Sequence, residues 1–323
     1  MALLDCYGYV AALIFTPRMH TVLDPAVIAL LLAAALMHAT WNALLKSDTG
    51  DRLATFGIMM LTGSIVALPF TFFLPFPPKT AWLWILASVI VHNFYYYFLL
   101  KAYATGDLSH TYPIARGLGP LIVAIFSGRL LGEFLRIQDG LGVALLSLGI
   151  VTLAMPQRRL AGGEALSKAL LGQHRRATIY AVLTGITIAG YLFSDGLGVR
   201  ASGPSFEHKL SYIVWLNICE GPWLVIAALY LRPLNVAAFL RKGPRGWWRG
   251  AIGGLIATLG YAIAIWALAA GPIAHVAAVR ESSVLFAAAM GALLLGEPFG
   301  RVRIVAAGVI VAGLLLMNGP TIF

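Results

Sequence analysis

The chain reads as an all-α integral membrane protein: ten transmembrane helices arranged as two inverted five-helix repeats. Three observations carry that reading. Hydrophobic residues make up 60% of the 323 and charged residues only 11%, with a mean hydropathy of +0.85, whereas a soluble domain is about half apolar and a quarter charged. Apolar runs of about 18 residues or more recur along the whole length, long enough for helices to cross a hydrocarbon layer roughly 30 Å thick. A stretch of the chain is also written twice. Ala102, Ala104, Gly106 and His110 match Ala267, Ala269, Gly271 and His275 at an offset of 165, and Arg116, Leu121, Ala124 and Leu130-Leu131-Gly132-Glu133 match Arg280, Leu285, Ala288 and Leu294-Leu295-Gly296-Glu297 at an offset of 164. An offset near half the length means one unit duplicated, which in an apolar chain points to a transporter built from repeats.

The spans follow from the apolar runs and their breakers. They are predicted at about 26–46, 53–74, 81–104, 108–131 and 138–155, then 177–199, 208–231, 248–270, 273–296 and 302–318. Breakers separate them: Pro75-Phe76-Pro77-Pro78, Gly106-Asp107, Gly132-Glu133, Gly203-Pro204, Gly243-Pro244, Gly271-Pro272 and Gly296-Glu297-Pro298. A membrane β-barrel is excluded, because its strands need short alternating segments and these runs are continuous. The longest polar connection, 156–176, divides a first repeat at 26–155 from a second at 177–318, with a tail at 319–323. Five spans per half make the second half enter the membrane from the opposite side, so the repeats are inverted. Residues 1–25 are an extension too short to span and interrupted by Asp5, without the basic leader of a signal peptide. Met19 offers an alternative start.

Net charge is +10, but the Lys and Arg sit mostly in loops, where they orient the chain and face anionic lipid; nucleic-acid binding is not expected. The 156–176 connection is strongly basic, with Arg158, Arg159, Lys168, Arg175 and Arg176, and Lys/Arg counting places it in the cytoplasm with both termini outside. Localisation is expected to be the inner (plasma) membrane. Two cysteines and scattered histidines supply no disulfide framework, metal site or cofactor signature.

Polar side chains are costly inside a membrane and mark interiors or water-filled cavities. The first span carries His38, Asn42 and Lys46 on one helical stripe, with Trp41 beside it; the third repeats the arrangement as Asn93, Tyr97 and Lys101, flanked by His92, Tyr95 and Tyr96. Either these stripes line a cavity, or the lysines snorkel and the aromatics form a belt. The fourth span carries Tyr112 and Arg116, bracketed by Pro113 and Pro120, and its repeat partner carries Arg280-Glu281-Ser282-Ser283. Two readings stay open here. Arg116 and Arg280 converge to hold an anionic group by bidentate hydrogen bonds, with Ser283 beside them, or an Arg–Glu pair locks the two halves. A lone guanidinium at that depth is costly, so Glu281 is expected to partner one arginine when substrate is absent. The sixth span contains Tyr191 and Asp195, and the seventh Asn217 and Glu220. Buried carboxylates such as Asp195, Glu220 and Glu281 can carry a proton or sit in permanent ion pairs. Tyr261 and Trp266 suit packing, and Tyr261 is kept as a candidate wall residue. Glu133 and Glu297 end spans and are assigned to structure.

The two segments Ala115-Arg116-Gly117-Leu118-Gly119-Pro120 to Leu131-Gly132-Glu133 and Val279-Arg280-Glu281-Ser282-Ser283 to Leu295-Gly296-Glu297-Pro298 resemble the EamA family of the drug/metabolite transporter superfamily, over about residues 26–318. The resemblance implies a central cavity lined by spans 1, 3, 4, 6, 8 and 9, and movement of a small metabolite, often export, by alternating access without ATP. Two features depart from the family pattern: the loop charges place the termini outside, and His38-Ala39-Thr40-Trp41-Asn42 stands where many relatives carry Trp-Gly followed by small residues. The function expected is a secondary transporter, exporting a small anionic or zwitterionic metabolite such as an amino acid or organic acid, as a monomer or homodimer. A proton is one candidate coupling ion. The alternatives are a membrane subunit of an ATP-driven permease and an integral-membrane lipid or prenyl transferase. The latter needs paired carboxylates for Mg²⁺ or a nucleophile–base set, for which Asp48 and Asp51 are a poor match.

Overall fold

The computed structural model describes residues 22–46, 51–105, 108–153, 175–241, 243–295 and 301–320. The N-terminal extension, the 156–176 connection up to Gln173-His174, and Glu297 lie outside the described residues. Within them the secondary structure is helical: α1 Pro25–Lys46, α2 Arg52–Ala67, α3 Lys79–Thr105, α4 Leu108–Leu131, α5 Ile137–Leu153, α6 Arg175–Ala201, α7 Phe206–Leu231, α8 Pro233–Arg241, α9 Pro244–Ala270, α10 Ile273–Arg280, α11 Ser283–Leu295 and α12 Arg301–Asn318. Among the described residues nine helical spans are long and apolar enough to cross a membrane, and Ile137–Leu153 is a shorter apolar helix at the position of the predicted fifth span.

Local chemistry explains the ends. The Asp51 carboxylate accepts the Leu53 and Ala54 N–H groups at the start of α2, and Ser205 caps α7, each satisfying donors that a helix start leaves open. Beyond Ala67 the chain tightens into a 3₁₀ turn, Leu68–Phe72, with proline at its start. Two features differ from the sequence expectation. Pro233–Arg241 forms a short helix in what reads as a loop. The ninth span, expected as one helix over 273–296, is interrupted at Glu281-Ser282 between α10 and α11. At the break the Ser282 hydroxyl donates to the Val279 carbonyl at 2.7 Å and the Ser282 N–H turns to the same carbonyl at 3.1 Å. Serine competes for backbone partners in this way, and the ladder locally tightens from i−4 to i−3.

The described helices group into two units. One contains residues 94–193 and 271 onward, the other residues 25–93 and 194–270. Each unit takes helices from both sequence repeats. In the second, α2 lies along α7, and α9 packs on α1 and α2. In the first, α5 lies along α12, and α4 packs on α5 and α10. The pairs α2–α7, α5–α12 and α4–α10 are the second and seventh, fifth and tenth, and fourth and ninth spans, so duplicated elements pack against their own copies. Between lipid-solvated helices the hydrophobic effect gives little drive, and close backbone approach takes its place. Along α5 and α12 that approach depends on glycine: a Cβ on Gly142 would fall 2.7 Å from the Gly313 carbonyl, and one on Gly313 would fall 2.6 Å from that of Gly142. Leu146, Ile150, Ile310 and Met317 are fully buried beside this seam.

Cross-repeat polar contacts close the same unit. Arg136 donates to Asp139 at the start of α5 and to the Met317 carbonyl at 2.9 Å at the end of α12. The Glu133 carboxylate accepts the Ile273 N–H at 2.8 Å, placing negative charge at the start of α10 where the helix dipole favours it. The structural role expected of Glu133 thus has a partner.

Candidate functional site

The unit containing α4, α10 and α11 holds a buried charged group built around Arg116. Its Nε lies 2.8 Å from Glu281 Oε2, with both side chains almost fully buried. That contact is ionic rather than a well-aligned hydrogen bond. The guanidinium donates through Nη2 to Ser283 Oγ at 2.9 Å. Glu281 lies in the field of both Arg116 and Arg280. Arg280 stands over the Tyr191 ring with its guanidinium carbon 6.0 Å from the centroid, within cation–π range. Tyr95 packs edge-on against Tyr191 at 5.7 Å, and Tyr112 lies in the field of Arg116 and Glu281. Arg280 ends α10, and Glu281-Ser282 form the break just ahead of α11, which starts at Ser283. A cation at a helix C-terminus and an acid at an N-terminus both suit the helix dipoles, so the interruption and the sequence Arg-Glu-Ser-Ser support each other.

Among the sequence candidates, the structure therefore brings together Tyr112, Arg116, Tyr191, Arg280, Glu281 and Ser283. Sequence reasoning missed Tyr95 as a member, although it flanks the Asn93 stripe.

A second buried set lies in the other unit, drawn from α3, α6, α7 and α9. Asp195 is fully buried and accepts the Tyr212 hydroxyl at 3.2 Å and, by a short bond, the Tyr261 hydroxyl. The Tyr261 oxygen lies 3.2 Å from His92 Nε2, and that nitrogen is 4.0 Å from Glu220 Oε1. His92 thus links the Asp195–Tyr261 pair to Glu220, although the sequence pattern marks it only as a residue flanking the Asn93 stripe.

The first-span candidates are placed more plainly. Trp41 is buried, edge-on to His38 at 5.0 Å and stacked on Phe56 at 5.9 Å, which makes it a packing residue. Asn42 and Asn93 each donate to the carbonyl one turn back, His38 and Val89, at 2.8 Å. Tyr97 stands apart from both buried groups: its stripe on α3 runs Leu83, Leu86, Ile90, Phe94 and Tyr97, all more than half exposed, and Lys101 stands over its ring. An exposed apolar stripe ending in a lysine is the pattern of the snorkelling alternative. The inward face of α3 carries Ile85, Ser88, His92 and Tyr96 instead.

A bundle of membrane-crossing helices, duplicated in sequence and holding buried ionisable groups where the copies meet, defines the class of multi-pass membrane transporters. The EamA-like transporter family matches residues 25–155 and again 175–319. The chain belongs to that family, and it is a multi-pass membrane transporter of the drug/metabolite transporter type. A solved structure described only as a crystal structure of a protein is 15% identical, covering 91% of this chain and 98% of that one with a TM-score of 0.68; at that identity the likeness concerns the fold alone. No curated protein matches the chain.

Proposed function

We propose that this protein is a secondary transporter that moves a small anionic or zwitterionic metabolite, such as an amino acid or organic acid, by alternating access around Arg116 and Arg280. The observation that carries the reading is the charge of the buried group. Two guanidinium groups, Arg116 and Arg280, are gathered around the Glu281 carboxylate, and paired guanidinium groups suit the carboxylate of a substrate. Glu281 lies against Arg116, and an incoming carboxylate replaces it by offering two oxygens to the planar guanidinium. A zwitterion's ammonium group then has Glu281 as its counter-charge. Export across the plasma membrane and a cytoplasmic 156–176 connection complete the reading, the latter on loop charge.

The test is a thermal-stability screen of the purified chain against metabolites sorted by charge. Carboxylates and zwitterionic amino acids should stabilise the wild type, while their amide and cationic counterparts should not. Arg116→Ala and Arg280→Ala should remain folded and lose the effect. Stabilisation by neutral or cationic compounds alone would refute the anion site. Orientation is checked separately by labelling a cysteine placed in the 156–176 connection with an impermeant reagent in intact cells; labelling from outside would overturn the charge argument.

A further inference from the structure

The second buried group, around Asp195 and His92, lies within the unit of residues 25–93 and 194–270. Tyr212 and Tyr261 each direct their single hydroxyl proton at Asp195. The Tyr261 oxygen then keeps a lone pair facing His92 Nε2, 3.2 Å away, which a hydrogen on Nε2 satisfies. The other ring nitrogen, Nδ1, faces two oxygens of one residue: Ser88 Oγ at 3.1 Å and the Ser88 carbonyl oxygen at 3.0 Å. A carbonyl oxygen only accepts, whereas a hydroxyl can also donate. Nδ1 therefore has a partner in both protonation states. It accepts from the Ser88 hydroxyl while the ring is neutral, and it donates to the Ser88 carbonyl once the ring is charged. No heavy atom has to move. Counter-charge comes from two neighbouring helices: Glu220 of α7 lies 4.0 Å from Nε2, and Asp195 of α6 is reached through Tyr261 of α9. Among the described residues no group of three or more His, Cys, Asp and Glu side chains is arranged to hold a metal ion.

We propose that His92 is a proton-binding site within the membrane-spanning region of this transporter, with Ser88 as its two-way partner and Glu220 and Asp195 as its counter-charges. One proton adds to the Nδ1 lone pair as the Ser88 hydroxyl turns its own hydrogen away, and the reverse step releases it. No electrons move and no other reactant is needed. Binding and release on opposite sides of the membrane would let a pH gradient drive transport. The inference stands independently of what Arg116 holds.

The experiment is nitrogen NMR of full-length protein labelled with ¹⁵N-histidine in lipid bilayers. The chain has seven histidines, and His92→Gln identifies the signal. As pH falls from about 9 to about 5, that signal should convert from a neutral ring bearing hydrogen on Nε2 to an imidazolium. Ser88→Ala removes the donor that suits the neutral ring and leaves the carbonyl, so the conversion should move to higher pH. Glu220→Gln removes counter-charge and should move it to lower pH, each by about one unit or more. Ser88→Ala deletes a single oxygen and keeps the test open if Glu220→Gln does not fold. A His92 signal fixed in one state across the range, or unmoved by both variants, would overturn the proposal. Arg116→Ala should leave the conversion where it is, so failure of the anion site and failure of the proton site are read separately.

Discussion

Glu281→Gln tests how the buried charge is balanced. The Arg116 Nε and Glu281 Oε2 atoms are 2.8 Å apart with both side chains almost fully buried. At an effective dielectric constant near 20, unit charges at that separation attract by about 6 kcal/mol. The net worth of the pair is smaller because both ions were desolvated. Removing one partner nevertheless leaves the other charge uncompensated, at a cost of about 3–5 kcal/mol. The bond from Arg116 to Ser283 survives and holds the loss toward the lower end. The same substitution frees Arg116 for a ligand, since an incoming carboxylate no longer has to displace Glu281. Reversible unfolding in mixed micelles, with and without acetate, reads both effects. Without acetate the variant should be about 3–5 kcal/mol less stable than wild type. With acetate at about a thousand times its Kd it should recover about 4 kcal/mol, and its acetate affinity should exceed wild type by tenfold or more. Replacing both partners with methionine should cost far less than either single loss while eliminating anion binding. A variant within about 1 kcal/mol of wild type, with unchanged acetate affinity, would refute the competition argument.

Two further outcomes follow from packing. Gly313→Val inserts side-chain atoms where even a Cβ would meet the Gly142 carbonyl at 2.6 Å, so it should destabilise by about 1–3 kcal/mol or more in the same unfolding assay, and full stability would contradict the close approach of α5 and α12. Tyr97→Leu keeps an apolar side chain on the exposed stripe of α3 and should change unfolding by no more than about 0.5 kcal/mol, with transport unaltered; loss of transport would return Tyr97 to the site.

Much of this was legible in the chain because membrane helices leave few ways to satisfy a backbone. Apolar length gave the spans, and the repeated Leu-Leu-Gly-Glu marked their equivalence. The pairing of Arg116 with Glu281 follows from the expense of a lone guanidinium at depth, since the repeat aligns Arg116 with Arg280 and places Glu281 beside it. The choice of face on α3 was not legible. That helix is apolar on all sides, so periodicity cannot separate a lipid face from an interior face, and the polar stripe from Asn93 through Tyr97 to Lys101 looked more like a wall than Ser88 and His92 did. The break in the ninth span was also hidden. Arg-Glu-Ser-Ser is compatible with a continuous helix, and only the Ser282 contact to Val279 shows the ladder giving way.

The central claim is that Arg116 and Arg280 together hold the anionic group of the transported molecule. It is tested most directly by uptake of a radiolabelled carboxylate, chosen from the stability screen, into proteoliposomes containing wild type, Arg116→Ala or Arg280→Ala at matched amounts of folded protein. Wild type should exchange the carboxylate across the bilayer, and both variants should fall to the level of protein-free vesicles. Exchange at the wild-type rate by both variants would contradict the account.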